Sequence, residues 1–434
     1  MSNDLGFGTR SIHAGYTPAD HNWSVVPPIY QTAAFDLGDT DRARRLWTGE
    51  EAAGIYTRVG NPTVGVLEER IAALEGGSAA IGLASGMSAI SYVALLLGEG
   101  GGTIISGSSL YGAAQEALKD FLPRFGVNTR FVADRNDPAA YEALIDDDTR
   151  AVFIESISNP NAELYDIDAI AEVAHRHGVP VVVDNTVATP YLLRPFEHGA
   201  DIVVYSATKG LSGHGNVIAG LVVENGTFQY GPERFANLHE KSWKIRDIDD
   251  RPRTVLEAAP TAPITTALRA FHLEFIGAKL APSEAYLALL GLATIKERLD
   301  VQVRNAQALA EHLQGHDHVE WVRYPGLASS EFHDLALRDF PRGAGGILSF
   351  GFGGDHDQLR TFISALEVFS YHVNIGDVRS LIVNSPRTTH AELAPEVHEL
   401  AGIPPNLVRI SAGLEDTQDL VDDLDRAVAA TFGH

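Results

Sequence analysis

Short apolar runs alternate with amphipathic stretches over the middle of the chain, from Pro62 to about Asn225. The stretch VGVLEERIAALEGG has helical spacing and ends at a glycine pair, and the run AAIGLA leads through SGM into a second helical stretch, SAISYVALLLG. Further short runs rich in Val and Ile follow: TIISG, TRFVA, RAVFIES, VPVVVDN, DIVVYSA and AGLVVE. Strands that are apolar almost throughout, with helices between several of them, predict a largely parallel sheet that is covered on both faces.

The pattern changes on both sides of this region. Residues 1–60 are irregular and rich in proline, glycine and aromatic residues, which predicts an extended arm that contacts a neighbouring subunit. We expect a large domain over residues 61–296, interrupted by a polar, proline-bearing excursion near residues 225–279. A long helical stretch then leads into a smaller α/β domain over residues 297–434. The predicted fold class is therefore α/β, with two domains of unequal size.

Composition narrows the classes of function. The 434 residues carry a formal net charge of −24 without a compensating basic cluster, so we expect no nucleic-acid partner. No apolar run approaches the roughly 18 to 20 residues of a membrane span, and no secretory signal pattern is seen, so we expect no membrane partner and a cytoplasmic location. The absence of cysteine excludes disulfides and thiolate chemistry. The clustered histidines of HRH and HLQGHDH are expected to be solvated, so no metal site is predicted.

The stretch DIVVYSATKGLSGHG carries the most informative chemistry. An apolar strand delivers Ser206, Thr208 and Lys209 to its carboxyl end, which is where open α/β sheets bind ligands. A lysine amine can form an imine with an aldehyde cofactor, and hydroxyls beside it can donate to a phosphate. A single lysine at a strand end is more often an exposed surface residue, so the accompanying features decide.

Two further features accompany this lysine. Asp184 ends the apolar strand VPVVVDN, where a carboxylate can pair with a pyridinium nitrogen and keep it protonated. Gly86 and Met87 begin a helix within ASGMS, where free amides and the positive end of the helix dipole suit a phosphate. Each feature alone is explained by an ordinary turn or helix cap. The combination indicates a receptor for an aldehyde cofactor that has a ring nitrogen and a phosphate.

These residues lie within motifs that resemble a known family. Over nearly its whole length the chain is similar to the Cys/Met-metabolism family of pyridoxal-phosphate enzymes, which includes cystathionine synthases and lyases, methionine γ-lyases and O-acetylhomoserine sulfhydrylases. The matching strings, in the family's order, are YTRVGNPT, ASGM, SLYG, SNPN, VDNT, SATKGLSGHG and RISAGLED. The resemblance implies the PLP-dependent transferase fold (fold type I, aspartate aminotransferase-like) and pyridoxal 5'-phosphate (PLP) as cofactor. It also implies a homo-oligomer, expected to be a tetramer built as a dimer of dimers.

The resemblance further implies a role for each matching residue. Lys209 would hold the cofactor as a Schiff base and move protons, Asp184 would bind the ring nitrogen, and Tyr111 would stack on the ring and assist proton transfer. The phosphate would be bound by Gly86, Met87, Ser206 and Thr208, and by Tyr56 and Arg58 of a second subunit. Asn159 would contact the phenolic oxygen of the ring. Arg409 would bind the substrate carboxylate, with Ser380 nearby.

Three features favour a sulfhydrylase within this family. The excursion resembles the extra segment of sulfhydrylases, LEVFSYHVNIGDVRSLIVNSPRTTH resembles their substrate loop, and Ala113 stands where methionine γ-lyases usually have cysteine. We therefore predict a transferase of methionine biosynthesis that converts O-acetylhomoserine and sulfide to homocysteine and acetate. Asn384 to Arg387 depart from the family's usual His-Pro-Ala-small run, and Gly210 replaces a common aromatic residue. Cystathionine γ-synthase activity and γ-lyase activity toward methionine or cystathionine therefore stay open.

A nicotinamide oxidoreductase is an alternative from another class, because YSATK matches a Tyr-x-x-x-Lys pair. That chemistry places both side chains on one helical face, whereas Tyr205 and Lys209 are expected to leave a strand for a glycine-rich turn. No glycine-rich dinucleotide motif follows the first predicted strand. The sequence therefore favours the PLP-dependent reaction.

Overall fold

The computed structural model describes residues 5–433 and contains a large, mostly parallel sheet, as the sequence predicts. Its seven strands are β1 (Ala79–Leu83), β2 (Gly102–Gly107), β3 (Val127–Val132), β4 (Thr149–Glu155), β5 (Val181–Asp184), β6 (Ile202–Ser206) and β7 (Gly220–Glu224). They lie in the order β1-β7-β6-β5-β4-β2-β3. Only β7 runs against its neighbours, β1 and β6, among these strands. The carboxyl ends of the other six strands therefore lie along one edge of the sheet.

Two smaller sheets complete the strand content of the described residues. The strands β8 (Ser242–Arg246) and β9 (Pro252–Arg253) form an antiparallel pair within the segment 225–279. The carboxyl-terminal part of the chain forms an antiparallel sheet of β10 (Val319–Arg323), β11 (Ile347–Phe352), β12 (Leu381–Val383) and β13 (Leu407–Ser411), in the order β10-β11-β13-β12. This second sheet belongs to the smaller α/β unit.

Seventeen α-helices lie within residues 5–433. They are α1 (Phe7–His13), α2 (Thr40–Thr48), α3 (Pro62–Glu75), α4 (Gly86–Leu97), α5 (Gly112–Glu116), α6 (Pro138–Glu142), α7 (Ile167–Arg176), α8 (Thr189–Leu192), α9 (Ala236–His239), α10 (Val255–Ala258), α11 (Pro263–Ala267), α12 (Pro282–Leu292), α13 (Ile295–Gln314), α14 (His333–Asp339), α15 (His356–Ala365), α16 (Pro395–Leu400) and α17 (Thr417–Phe432). Short 3-10 turns cover Pro18–His21, Leu122–Phe125, Pro195–His198 and Ser385–Arg387, and π-helical turns cover Ala117–Phe121 and Leu268–Leu273. None of these helices has the length and hydrophobicity that a membrane span requires.

The large sheet is buried on both faces, which explains its continuous apolar strands. Val181 and Val183 of β5 pack into one hydrophobic cluster, whereas Val182 between them packs into the cluster on the opposite face. Because successive side chains of a strand point to opposite faces, a strand covered on both sides needs apolar residues at every position. A third cluster lies between the small sheet and the helices α13, α15 and α17.

The helix α13 joins the two units. It packs against β10 and β11 of the small sheet and also against α1 and α8. Its first turn contains the proposed domain boundary after residue 296. The excursion near 225–279 contains the β8–β9 pair and the short helices α9, α10 and α11.

Candidate active site

The carboxyl-terminal edge of the large sheet borders a cavity of about 240 Å³. Nine of the residues singled out from the sequence line it: Gly86, Met87, Tyr111, Asn159, Asp184, Ser206, Thr208, Lys209 and Arg409. Eight of these follow or end strands of the large sheet, and Arg409 is on β13 of the small sheet. The cavity is therefore built between the two units.

Lys209 lies three residues beyond the end of β6, where the chain leaves the sheet. Its Nζ donates a hydrogen bond to Oδ1 of Asn374, at 2.7 Å. Burial and, to a smaller extent, the charge of Arg409 lower the pKa of the Lys209 amine to about 8, while the charge of Asp377 acts in the opposite direction. A buried amine with this pKa is neutral often enough near neutral pH to act as a nucleophile or a base.

Two carboxylates lie side by side at the ends of neighbouring strands. Asp184 ends β5 and pairs in register with Glu155, which ends β4. Burial raises the pKa of Asp184 to about 6. Burial and the nearby charge of Asp184 raise the pKa of Glu155 well above its usual range. Near neutral pH Asp184 is therefore the ionised member of the pair, as a partner of a pyridinium nitrogen must be.

Glu155 also holds the two loops that carry other cavity residues. Its Oε1 accepts from the backbone N–H of Tyr111 at 2.7 Å, and its Oε2 accepts from that of Asn159 at 3.0 Å. Glu155 is not among the site residues predicted from sequence, although it ends an apolar strand in the same way as Asp184. Its place at the end of the apolar run in RAVFIES is the signal that marks it.

The start of α4 forms the other end of the cavity. Ser85 caps this helix by accepting from the N–H of Ser88, which leaves the amides of Gly86 and Met87 at the helix start. A Cβ at Gly86 would lie 2.6 Å from Cβ of Ser206, so only glycine lets the helix start approach β6 this closely. The first amides of α4 and the hydroxyl of Ser206 therefore lie close together.

Arg409 is the largest buried side chain at the site and is 1% exposed. Its Nη1 donates to Oδ1 of Asn159 at 2.7 Å, and its Nη2 donates to the carbonyl oxygen of Asn374 at 2.8 Å. Its Nε is buried without a hydrogen-bond partner among the described residues. A buried guanidinium with an unused donor suits an anionic ligand such as a carboxylate.

Tyr111 lies at the cavity wall next to this arginine. Burial raises the pKa of its hydroxyl, and the charge of Arg409 offsets part of the rise. The hydroxyl is therefore a neutral donor or acceptor near neutral pH. The backbone of Tyr111 is fixed by Glu155, as described above, which sets the position of the ring.

Three of the predicted site residues do not line this cavity. Tyr56 is 44% exposed and has the Arg58 guanidinium 5.3 Å from its ring centre; Arg58 also pairs with Glu274. Ser380 is fully buried, where its hydroxyl donates to Glu415 at 2.8 Å and accepts from the N–H of Gly413.

The predicted substrate loop, LEVFSYHVNIGDVRSLIVNSPRTTH, contributes to the cavity through residues that the sequence did not single out. Arg387 is exposed beside His356, with 3.5 Å between their nitrogens, and does not line the cavity. Asn374 and Thr389 do line it. No local sequence signal marks Asn374, because its contact with Lys209 depends on how the small unit packs against the large one.

The cavity residues fit the aldehyde, the ring nitrogen, the ring and the phosphate of PLP. Lys209 offers an amine for the aldehyde, Asp184 a carboxylate for the ring nitrogen, and Tyr111 an aromatic ring for stacking. The helix start and the hydroxyls of Ser206 and Thr208 offer donors for a phosphate. The glycine at position 86, where a side chain would collide with Ser206, leaves room for such a group.

Tyr205 points away from this site, which bears on the oxidoreductase alternative. Tyr205 is fully buried, and its hydroxyl donates to Glu75 while it accepts from Asn185 at 2.9 Å. It does not line the cavity that Lys209 lines. The Tyr-x-x-x-Lys match therefore does not bring the two side chains to a common reaction site.

The chain is similar over nearly its whole length to known proteins. The model of the Cys/Met metabolism PLP-dependent enzyme family matches residues 8–429. The homocysteine synthase of Schizosaccharomyces pombe is 40% identical over 425 residues, which cover 97% of this chain and 98% of the relative. The L-methionine gamma-lyase of Pseudomonas putida is 40% identical over 431 residues, which cover 99% of each protein.

A solved structure shows the same fold with a cofactor present. It is a Campylobacter jejuni protein assigned as an O-acetylhomoserine (thiol)-lyase, which contains N'-pyridoxyl-lysine-5'-monophosphate. The two structures superpose with a TM-score of 0.91 at 33% sequence identity, over 98% of this chain and 100% of the other. The fold, the composition of the cavity and the family match over nearly the whole sequence show that the chain belongs to the Cys/Met metabolism family of PLP-dependent enzymes.

Proposed function

We propose that this enzyme converts O-acetylhomoserine and sulfide to homocysteine and acetate. The observation that carries the proposal is that the amine of Lys209 and the buried guanidinium of Arg409 line one cavity with Asp184. An amine beside the cofactor and a fixed cation for a carboxylate are what an α-amino acid substrate requires. The similarity to a homocysteine synthase supports a reaction in which sulfur is added to the substrate.

Each residue has a distinct part in the proposed reaction. The bound cofactor supplies a conjugated ring that accepts the electron pair left at the substrate's Cα. Lys209 removes and returns the Cα proton, for which a pKa of about 8 is suitable. Asp184 keeps the ring nitrogen protonated, and Arg409 binds the substrate carboxylate with its planar fork. Tyr111, a neutral hydroxyl at the cavity wall, assists proton transfer.

Elimination without sulfide is the second candidate, because the chain is equally similar to a methionine gamma-lyase. One observation favours replacement. Ala113, on α5, has no thiol to offer where methionine γ-lyases usually carry one.

Product analysis distinguishes the two reactions. The purified holoenzyme is given O-acetylhomoserine with and without sulfide and, in separate reactions, methionine or cystathionine. Homocysteine and 2-oxobutyrate are measured by mass spectrometry. We expect homocysteine only when sulfide is present. Release of 2-oxobutyrate from methionine or cystathionine at a comparable rate would instead establish a lyase. Lys209→Ala should lose both turnover and yellow colour, whereas Lys296→Ala, which removes an exposed lysine paired with Asp300, should keep both.

We also propose that Tyr56 and Arg58 bind the phosphate in a neighbouring subunit. Both side chains are a little under half exposed and lie outside the cavity of their own chain, which supports a role across an interface. The catalytic unit is then at least a dimer, and we propose a tetramer made of two such dimers. A cytoplasmic location stays a prediction.

Complementation between inactive chains tests the shared site. Lys209→Ala and Arg58→Ala are each expected to be inactive, and their co-expression should restore activity in mixed dimers. With random pairing, about a quarter of all sites then have both intact halves. Absence of any restored activity in purified mixed dimers would show that Arg58 serves its own chain. Light scattering of the holoenzyme separates dimer from tetramer.

Ser380 is proposed to act on the substrate indirectly. Its hydroxyl is held between Glu415 and the N–H of Gly413, so it fixes the turn that precedes β12. This turn follows the segment that contacts Lys209 and Arg409.

A further inference from the structure

The segment between α15 and β12 reaches from the small unit to the catalytic lysine. Asn374, in this segment, accepts the hydrogen bond from Lys209 Nζ at 2.7 Å. We propose that Asn374 is the positioning residue for the free amine of Lys209, holding and orienting that amine whenever it is not bonded to the cofactor. This inference rests on the proposed function only in taking Lys209 as the reactive amine.

The orientation of the Asn374 side chain is fixed by a buried carboxylate. Its Nδ2 donates to Oδ2 of Asp377 at 3.2 Å, and Asp377 is 2% exposed. A carboxylate can only accept, so the amide nitrogen must face Asp377 and the amide oxygen must face Lys209. Asp377 is itself held by the guanidinium and by the backbone N–H of Arg379. The acceptor presented to the amine is therefore fixed before any substrate arrives.

The backbone of the same segment is fixed against the chain that carries the lysine. The N–H of Val378 donates to the carbonyl oxygen of Gly213 at 2.8 Å. A Cβ at Gly376 would lie 2.7 Å from the backbone nitrogen of Gly210, the residue after Lys209. Close backbone packing of this kind shows that the contact between Asn374 and Lys209 is part of the fold, not a chance contact of a long side chain.

Asn374 also contacts the proposed carboxylate-binding residue. Nη2 of Arg409 donates to the carbonyl oxygen of Asn374 at 2.8 Å. The side chain of one residue thus holds the amine, and its backbone holds the guanidinium. Because the backbone carbonyl survives any substitution, the two functions can be separated by experiment.

A neutral acceptor is suited to this position. A free lysine that removes a Cα proton must be neutral and must point its lone pair at the substrate. An amide oxygen takes one N–H and so fixes the direction of the amine without adding a negative charge that would keep it protonated. The charged groups that act on the amine are Arg409 on β13 and Asp377, which lies on the other side of the Asn374 amide. Three further titratable groups, those of Asp184, Glu155 and Tyr111, line the same cavity.

The first test measures the amine itself, in the cofactor-free full-length chain. The rate at which Lys209 is acetylated by acetic anhydride is followed by mass spectrometry as a function of pH. In Asn374→Asp the added carboxylate should raise the apparent pKa of Lys209 by roughly one unit or more. Asn237→Ala, which removes an amide bonded to Glu99 just beyond the carboxyl-terminal end of α4, should leave this pKa unchanged. An apparent pKa in Asn374→Asp within 0.3 unit of wild type, roughly a twofold change in equilibrium, would overturn the inference.

The second test separates positioning from a merely structural role in the holoenzyme. In Asn374→Ala kcat should fall about 10- to 100-fold, whereas KM for the amino acid should change less than about threefold because the carbonyl that holds Arg409 remains. Asp377→Asn should give a smaller fall of the same kind. Equal losses in kcat and affinity, or unchanged kcat, would contradict the proposal. If Lys209→Ala still forms the yellow holoenzyme, the proposed function fails instead, a result that the acetylation test does not depend on.

Discussion

Replacing Asp184 by Asn should stabilise the cofactor-free protein while impairing the enzyme. Burial raises the pKa of Asp184 from 3.8 to about 6. At about 1.4 kcal/mol per pKa unit, ionising this carboxyl costs the folded, cofactor-free protein about 3 kcal/mol. Asn has nearly the same shape, has no charge to desolvate, and can still accept from the N–H of Thr186, which bonds Asp184 at 2.9 Å.

The pH dependence of this effect has a definite sign. The folded-state pKa is raised, so the penalty is absent where both the folded and the unfolded chains are protonated, below about pH 3. It grows as the pH rises toward 6 and is complete above that. The urea concentration at the unfolding midpoint is therefore measured for both cofactor-free proteins at pH 5 and pH 7.5. The advantage of Asp184→Asn should be about 3 kcal/mol at pH 7.5 and roughly half of that at pH 5.

The cofactor should reverse the order of stability. When PLP is added, the carboxylate is expected to pair with the ring nitrogen, so wild type should gain more stability than Asp184→Asn, and kcat of the variant should fall roughly 100-fold or more. The exposed pair Asp357 and Arg360 supplies a control, because Asp357→Asn should change stability by less than about 0.5 kcal/mol at either pH. If Asp184→Asn unfolds at the same or a lower urea concentration than wild type at pH 7.5, ionising the buried Asp184 carboxyl does not destabilise the folded protein, and the reasoning is wrong.

Three further substitutions test separate parts of the site. Arg409→Lys keeps the charge but loses the planar fork, so steady-state kinetics should show KM for the amino acid raised about 10- to 100-fold, and an unchanged KM would argue against carboxylate binding. Gly86→Ala places a Cβ 2.6 Å from Cβ of Ser206, so fluorescence titration should show PLP affinity lowered at least about tenfold. Gly65→Ala, where a Cβ meets nothing within 4 Å, should leave that affinity unchanged. Tyr111→Phe should lower kcat about 10- to 100-fold with little change in KM, and pre-steady-state rates of Cα proton loss should fall in parallel if its hydroxyl assists that transfer.

The parts of the site that follow strands of the large sheet were predictable from sequence. Asp184 and Lys209 each come at the end of an apolar run, and the carboxyl ends of parallel strands meet at one edge of the sheet. Glu155 also ends an apolar run, so its place at this edge was predictable for the same reason. The α/β fold class also followed from the alternation of apolar runs and amphipathic helices.

The contribution of the small unit could not be predicted in the same way. Asn374 lies in a loop without hydrophobic periodicity, and its contact with Lys209 arises only when the two units pack together. The sequence also could not predict that Arg387 is exposed, because the sequence around a charged loop residue does not indicate which way its side chain points. Loop positions of this kind depend on contacts far away in sequence.

The reversed direction of β7 determines how the lysine is supported. The chain leaves β6 at Ser206, carries Lys209, and re-enters the sheet at Gly220, which pairs with Ser206. Both ends of this short segment are thus anchored at the same rim, and a side chain at Gly220 would overlap the carbonyl of Ser85 just before α4. Because both ends of the segment are fixed at one edge of the sheet, it cannot absorb an inserted or deleted residue without moving Lys209. Natural or engineered length variation should therefore be tolerated in the excursion after β7 and not between β6 and β7.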